Sequence, residues 1–121
     1  MRKGLPLSSC TFDRDEDNST IHLGAFLENR AIGILTLLTN TKNVQIRGMA
    51  VLEKFQGKGI GKQLIAHAEN LVHGRNVCTI WMNARRIAVP FYKRCGYRKH
   101  GDAFELPYGG THFKMIKSLC D

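Results

Sequence analysis

Gln56-Gly57-Lys58-Gly59-Ile60-Gly61-Lys62 places three glycines and two lysines where an apolar strand-like run gives way to a helical repeat. Glycines at such a junction let a backbone come close to a ligand. The free N–H groups of the helix that follows, with its dipole, favour an anion such as a pyrophosphate. Two nucleotide motifs fail on spacing. Walker A needs four residues between its glycines and Ser or Thr after its lysine, whereas Gly57 and Gly61 enclose three and Gln63 follows Lys62. The dinucleotide fingerprint needs a glycine where Lys62 stands. Tyr92 offers a phenol that holds its proton at neutral pH and can act as a general acid. Cys78 and Cys95 could in principle carry an acyl group, but neither has a histidine beside it in sequence, which disfavours a covalent route.

The elements that must position these residues follow from apolar patterning. Ile21–Leu27 and Ala31–Leu38 are apolar runs around a polar Glu28-Asn29-Arg30, which predicts a hairpin of two antiparallel strands. Val44–Val51 alternates and then turns continuously apolar, predicting a third strand with Gly48 as a candidate bulge. Ile60, Leu64, Ala68, Leu71 and Val72 recur at helical spacing, so a helix should run to Gly74. Val77–Met82 predicts the next strand, parallel to the one before the helix by the handedness of such crossovers. A second helix is expected over 86–95, with Pro90 tolerable only in its first turn and Gly96 as a left-handed cap. Tyr97–His100 and His112–Ser118 supply two last strands, joined by a loop holding Pro107 and Gly109-Gly110. The acidic stretch Asp13–Ser19 cannot be buried, so residues 1–19 read as an irregular lead-in, with order starting near Thr20.

At 121 residues, with 43% apolar and 23% charged side chains, the chain has the makeup of one soluble globular domain over 1–121 rather than a disordered chain. A net charge of +8 favours anionic partners. The basic residues are scattered from Arg2 to Lys117, which disfavours a nucleic-acid arm. Cys10, Cys78, Cys95 and Cys120 form no C-x-x-C pair, which argues against a zinc knuckle and a disulfide scaffold, and suits a reducing cytosol; no metal is expected. No apolar segment reaches membrane-spanning length and the basic start is not followed by a signal-peptide core, so the expectation is a cytoplasmic protein without a membrane partner. On that expectation Asn18-Ser19-Thr20 is an accidental sequon.

Gln56, Gly59 and Gly61 resemble the Q-x-x-G-x-G signature of the GNAT superfamily of acetyl-CoA-dependent N-acetyltransferases. A second match lies downstream, in Asn83-Ala84-Arg85, Ala88 and Phe91-Tyr92-Lys93-Arg94-Cys95-Gly96-Tyr97, similar to the family's ending F-Y-x-x-x-G-[FY]. His112-Phe113-Lys114-Met115 resembles the closing strand of a bacterial subgroup, so the likeness covers about residues 20 to 118. The resemblance implies an α/β fold of the mixed (α+β) kind, a strongly twisted mixed sheet flanked by helices. Family members usually begin with a strand and one or two helices lining the acceptor side, and these N-terminal elements look shortened here.

It further implies acetyl-CoA as cosubstrate and an amine-bearing acceptor, and a homodimer is compatible with it. Cofactor-binding positions would be Met49, Ala50 and Val51 on the strand, whose backbone pairs with the pantetheine arm, and the Met49 amide could polarise the carbonyl. Gln56, Gly57, Lys58, Gly59, Ile60, Gly61 and Lys62 would hold the pyrophosphate, with Lys58 or Lys62 adding charge. Tyr92 matches the family's general acid. Asn83 either bonds the cofactor or caps the next helix. Arg47 and His112 are candidates for the acceptor side, Arg47 to orient a carboxylate-bearing amine. Some members carry a glutamate where this chain has Gln45. The general base is therefore left among Glu53, Glu105, His112 and a water relay. Acetyl transfer to a primary amine by direct attack in a ternary complex is the leading reading, and a non-catalytic acyl-CoA-binding module is the alternative.

Overall fold

The computed structural model describes residues 10–17, 19–39 and 43–120. It contains an eight-stranded mixed sheet and two helices: β1 (Cys10–Asp17), β2 (Thr20–Leu27), β3 (Arg30–Leu38), β4 (Val44–Val51), α1 (Ile60–Gly74), β5 (Thr79–Arg85), α2 (Val89–Arg94), β6 (Arg98–Lys99), β7 (Phe104–Leu106) and β8 (Gly110–Ser118). Strand order is β1-β2-β3-β4-β5-β8-β6, with β7 also on β8.

Glu28 and Asn29 turn the β2–β3 hairpin with φ of 52° and 65°, the left-handed pair that matches strand twist, and Arg30 already belongs to β3 opposite Leu27. On β4 the register passes from Thr36↔Gly48 to Leu37↔Ile46, so Arg47 is the extra residue of a bulge beside the expected Gly48. One sheet face is built by Ile21, Leu23, Ala25 and Leu27 of β2 and Ile32, Leu35 and Leu37 of β3. The α1 stripe packs into the same core through Ile60, Leu64, Ile65, Ala68 and Val72. Ile65 joins this stripe and Leu71 lies only half-buried at its edge. Gly33 permits the close seat, because a Cβ there would stand 3.1 Å from Leu64 and 3.2 Å from Ile60.

Residues 10–17 correct the expectation of an irregular lead-in. They form β1, paired with β2 from Cys10↔Leu27 to Asp17↔Thr20. An edge strand can be acidic because, among its described side chains, only Phe12 packs against the core, at whose edge it stacks on His67 of α1 with ring centroids 4.5 Å apart. Residues 1–9, and Asn18 of the sequon, lie outside the described residues. With Asp17 already paired to Thr20, only positions 18 and 19 join β1 to β2, and no helix intervenes.

The C-terminal half also departs from expectation in its bounds. β5 begins at Thr79 and runs on to Arg85, because polar Asn83 and Arg85 are held extended by pairing with Lys114 and His112 of β8. The second helix opens as a 3-10 turn over Arg86–Ala88, and α2 proper carries Pro90 in its first turn as required. Gly96 at φ 95° caps it, with Tyr97 N–H donating to Tyr92 O (3.0 Å). β7 was not expected; its three residues are too few to show a period.

Cys78 and Cys120 form a disulfide, Cα–Cα 5.1 Å, against the expectation of unpaired thiols. The physical reason is register: β5 and β8 are antiparallel neighbours from Thr79↔Ser118 and Leu119 N–H still donates to Cys78 O (2.6 Å), which brings Cys120, the next residue, beside Cys78 although they are 42 apart in sequence. No described helix is long and apolar enough to cross a membrane.

Candidate active site

The site begins where two strands part. β4 and β5 run parallel but pair only at Val44↔Ile80 and Gln45↔Trp81. Beyond these pairs Ile46–Val51 and Met82–Arg85 have no partner in each other, so a wedge opens toward the C-terminal ends of both strands. Leu52 N–H donates to Ile32 O at 2.9 Å, on the β3 side. Alternation along an extended strand then turns the N–H and C=O of Val51 and Met49 away from β3, into the wedge. At the wedge's mouth, the Gln56 side-chain amide donates to Val51 O (2.9 Å), so this glutamine ties the glycine loop to the end of β4.

The loop fits a diphosphate on three observations. Gln56, Gly57, Lys58 and Gly59 are all exposed. Gly57 and Gly59 adopt φ of 77° and 88°, and a Cβ at Gly57 would meet nothing within 4 Å, so the backbone is bare and accessible. Gly59 is the N-cap of α1 without a side-chain cap, and no acidic residue occupies the first turn, which leaves its N–H groups open to an anion. Lys58 and Lys62 are exposed beside it, and Ile60 turns its side chain into the core, so only its backbone faces the loop. Gly61 is a close approach: its Cβ would lie 3.3 Å from Phe91 Cζ and 3.5 Å from Met49 Cε. The start of α1, the end of β4 and α2 therefore converge at this glycine.

Tyr92 sits on α2 next to Phe91, its ring packed edge-on against Phe91 (5.2 Å) and Tyr97 (6.0 Å). Burial, with a smaller effect from Cys95, pushes its phenol up to about 12. The hydroxyl has no hydrogen-bond partner among the described residues, yet no buried polar side-chain atom described is unpaired, so Oη reaches solvent-accessible surface. A protonated phenol with a buried ring and an open tip can donate a proton. Cys95 is a free cysteine; burial pushes its thiol up, with Glu69 adding to the effect, which works against the thiolate a nucleophile needs.

Asn83 stays exposed on the half of β5 that does not pair with β4, and it caps no helix: the N-caps of the 3-10 turn and of α2 are Arg85 and Ala88, neither with a side-chain bond. Met49 and Val51 are half-buried, Ala50 and Arg47 exposed. Gln45 is half-buried at the last β4–β5 pair. Glu53 is exposed in a 3-10 turn beyond β4, and Glu105 accepts a bond from Thr111 Oγ1. His112 is 3% exposed, and its Nδ1 donates to Gly110 O (2.8 Å).

A cavity of about 660 Å³ adjoins the end of β5, lined by Arg85, Arg86, Ile87, Pro90, Gly109 and Thr111. Sequence reasoning missed it. Gly109 was legible only as loop, and nothing in the spacing shows that the β7–β8 turn folds back over Arg85. Among the described residues no cluster of His, Cys, Asp and Glu could hold a metal ion.

The model of the acetyltransferase (GNAT) family matches residues 3–97. YitI of Bacillus subtilis (strain 168), named an uncharacterized N-acetyltransferase, is 31% identical over 126 residues, covering 98% of this chain and 85% of that protein. Among solved structures, PaiA N-acetyltransferase from Thermoplasma acidophilum in complex with coenzyme A aligns with a TM-score of 0.71 at 20% identity. That alignment covers 83% of this chain and 61% of the other, so the present chain spans less than two thirds of it. An aminoglycoside 6'-N-acetyltransferase complexed with coenzyme A aligns with a TM-score of 0.77 at 14% identity, covering 87% and 76%. At these identities the structural likeness is one of fold.

Proposed function

Because the chain belongs to the GNAT acetyltransferase family, we propose that it moves an acetyl group from acetyl-CoA to a primary amine by direct attack within a ternary complex. The observation that carries this is the junction of an unpaired β4–β5 wedge with a bare, uncapped helix N-terminus. Acetyl-CoA supplies an activated acyl group and a thiolate leaving group. Both relatives crystallised with coenzyme A share the fold described above.

The chain's own groups divide the work. Amides of Gly57, Lys58, Gly59, Ile60 and Gly61 hold the diphosphate, with charge from Lys58 and Lys62. Wedge-facing backbone of Met49 and Val51 aligns the pantetheine arm as an added strand would, with Ala50 between them and Asn83 bonding from the opposite wall. Gln56 acts indirectly, by fixing the loop to Val51. The Met49 N–H is the donor for the thioester carbonyl oxygen. As the amine nitrogen bonds to the carbonyl carbon and the C–S bond breaks, Tyr92 Oη gives its proton to the sulfur. The phenol's high affinity for its proton keeps it loaded throughout the neutral range. Arg47 and His112 belong to the acceptor side, and the proton the amine loses passes to solvent through a water relay.

Thiol release from acetyl-CoA in the presence of primary amines tests the reading. Amine-dependent release is expected. Tight acetyl-CoA binding without release under any amine would instead favour a non-catalytic binding module.

A further inference from the structure

We propose that the acceptor is a small primary amine bearing a carboxylate, and that Arg85 and Arg86 bind that carboxylate in the cavity at the end of β5. The inference rests on the acetyl-transfer reading and adds the chemistry of the second substrate.

Size is the first argument. About 660 Å³ lies within the range of small-ligand sites. Charge is the second. The ionisable groups lining the cavity are both guanidiniums, and neither joins an ion pair among the described residues. Thr111, the lining hydroxyl, already donates to Glu105. Two unneutralised guanidiniums at one wall call for an anion, and the planar fork of Arg matches a carboxylate in bidentate fashion.

Order is the third argument, since an arbitrary surface arginine would be a poor receptor. Arg85 lies in the sheet opposite His112, and its Nε packs against Gly109. A Cβ at Gly109 would stand 3.0 Å from Arg85 Nε and 3.0 Å from His112 Cε1, and φ there is +78°, so any side chain at this position would be strained. His112 in turn is fixed by its bond to Gly110 O. Arg85 is thus backed on one side by this turn, which lowers the cost of ordering it around a ligand. Ile87, 87% exposed, adds apolar surface on which the carbon chain of the acceptor can lie.

Position is the fourth. Arg85 follows Asn83 by two residues on β5, on the same exposed face, which places it about 7 Å along the strand. An ω-amino acid anchored by its carboxylate at Arg85 can reach along that face toward the wedge.

The test is an acetylation series of ω-amino acids from glycine to 6-aminohexanoate, each paired with its carboxamide. The best acid should exceed its amide by at least about tenfold in kcat/KM, and Arg85→Ala and Arg86→Gln should each remove most of that preference through the acceptor KM. Arg85→Lys, which keeps the charge and loses the fork, should fall between if Arg85→Ala folds poorly. Thermal stabilisation by acetyl-CoA is followed in parallel and should be unchanged in the arginine variants. Acids used no better than amides, or a preference that survives both substitutions, would overturn the inference while leaving the acetyl-CoA reading intact. Loss of the acetyl-CoA shift in the wild-type chain would overturn both.

Discussion

Tyr97 Oη donates to Glu69 Oε2 across 2.9 Å, and Lys117 Nζ reaches the same carboxylate at 3.1 and 3.0 Å. Lys117 also donates to Cys95 O at 2.8 Å. One partly buried carboxylate on α1 thereby fastens the end of α2, the residue beyond it and β8 together. This clamp holds α2, whose Phe91 packs against Gly61, so it bears on the site without touching a ligand. Burial, reinforced by Glu69, drives the Tyr97 phenol far above its ordinary range.

Replacing Lys117 by Met should cost about 1–3 kcal/mol in urea unfolding, because the Glu69 charge, with 18% of its side chain exposed, loses its cation. Glu69→Gln should cost less. It should also bring the Tyr97 phenol down toward the ordinary range in an ultraviolet titration, since the neighbouring negative charge is gone.

Gly59→Asp separates folding from ligand binding. At φ 88° the aspartate is strained by about 1 kcal/mol, yet as N-cap it gains a similar amount from the open N–H groups of α1. The melting temperature without ligand should therefore move by only a few degrees, whereas stabilisation by acetyl-CoA should vanish, its phosphates facing a carboxylate. Saturation at 100 times the dissociation constant stabilises the wild-type chain by about 2.7 kcal/mol. An aspartate variant that keeps this gain would remove the loop from the binding site.

Tyr92→Phe should lower turnover by about 10²-fold with the acetyl-CoA shift retained. The same residue predicts an alkaline effect on stability. The phenol's folded value of about 12 lies above its ordinary 10, so between these values the folded chain holds a proton that the unfolded chain has lost. Stability is then undiminished below pH 10 and falls as pH rises toward 12, by on the order of 3 kcal/mol from this group. Unfolding curves for the phenylalanine variant should be that much flatter between pH 9 and 12. An equally steep decline would show that other groups carry it.

Reduction of the Cys78–Cys120 bond opens a loop of 42 residues and should cost about 2–4 kcal/mol by loop-closure entropy. Cys78→Ser should match the reduced wild type, with acetyl-CoA binding preserved, because the bridge lies at the end of β5 remote from Asn83.

Much of this was legible beforehand because the signals are local. The α1 stripe, the Glu28-Asn29 turn, the first-turn Pro90 and the Gly96 cap each follow from residue type over a few positions. The glycine loop was legible for the same reason. What escaped depends on register between distant strands. β1 is polar in sequence yet ordered by β2, Cys78 meets Cys120 only because Thr79 pairs with Ser118, and Gly109 meets Arg85 only because β8 returns beside β5. Gln56 shows the opposite limit. Its motif was visible, while its role as a side-chain tie to Val51 required coordinates.

The two-pair seam between β4 and β5 has a consequence for cooperativity. Ladder hydrogen bonds couple the strands up to β4 to one another and β5 to β8, but little backbone bonding crosses from one block to the other. Mutual protection of the blocks falls to α1 and the side chains beneath it, which makes them candidate foldons with separate opening free energies. A molecule lodged between them acts as the missing rungs, so amide exchange on both sides should slow in concert when it binds.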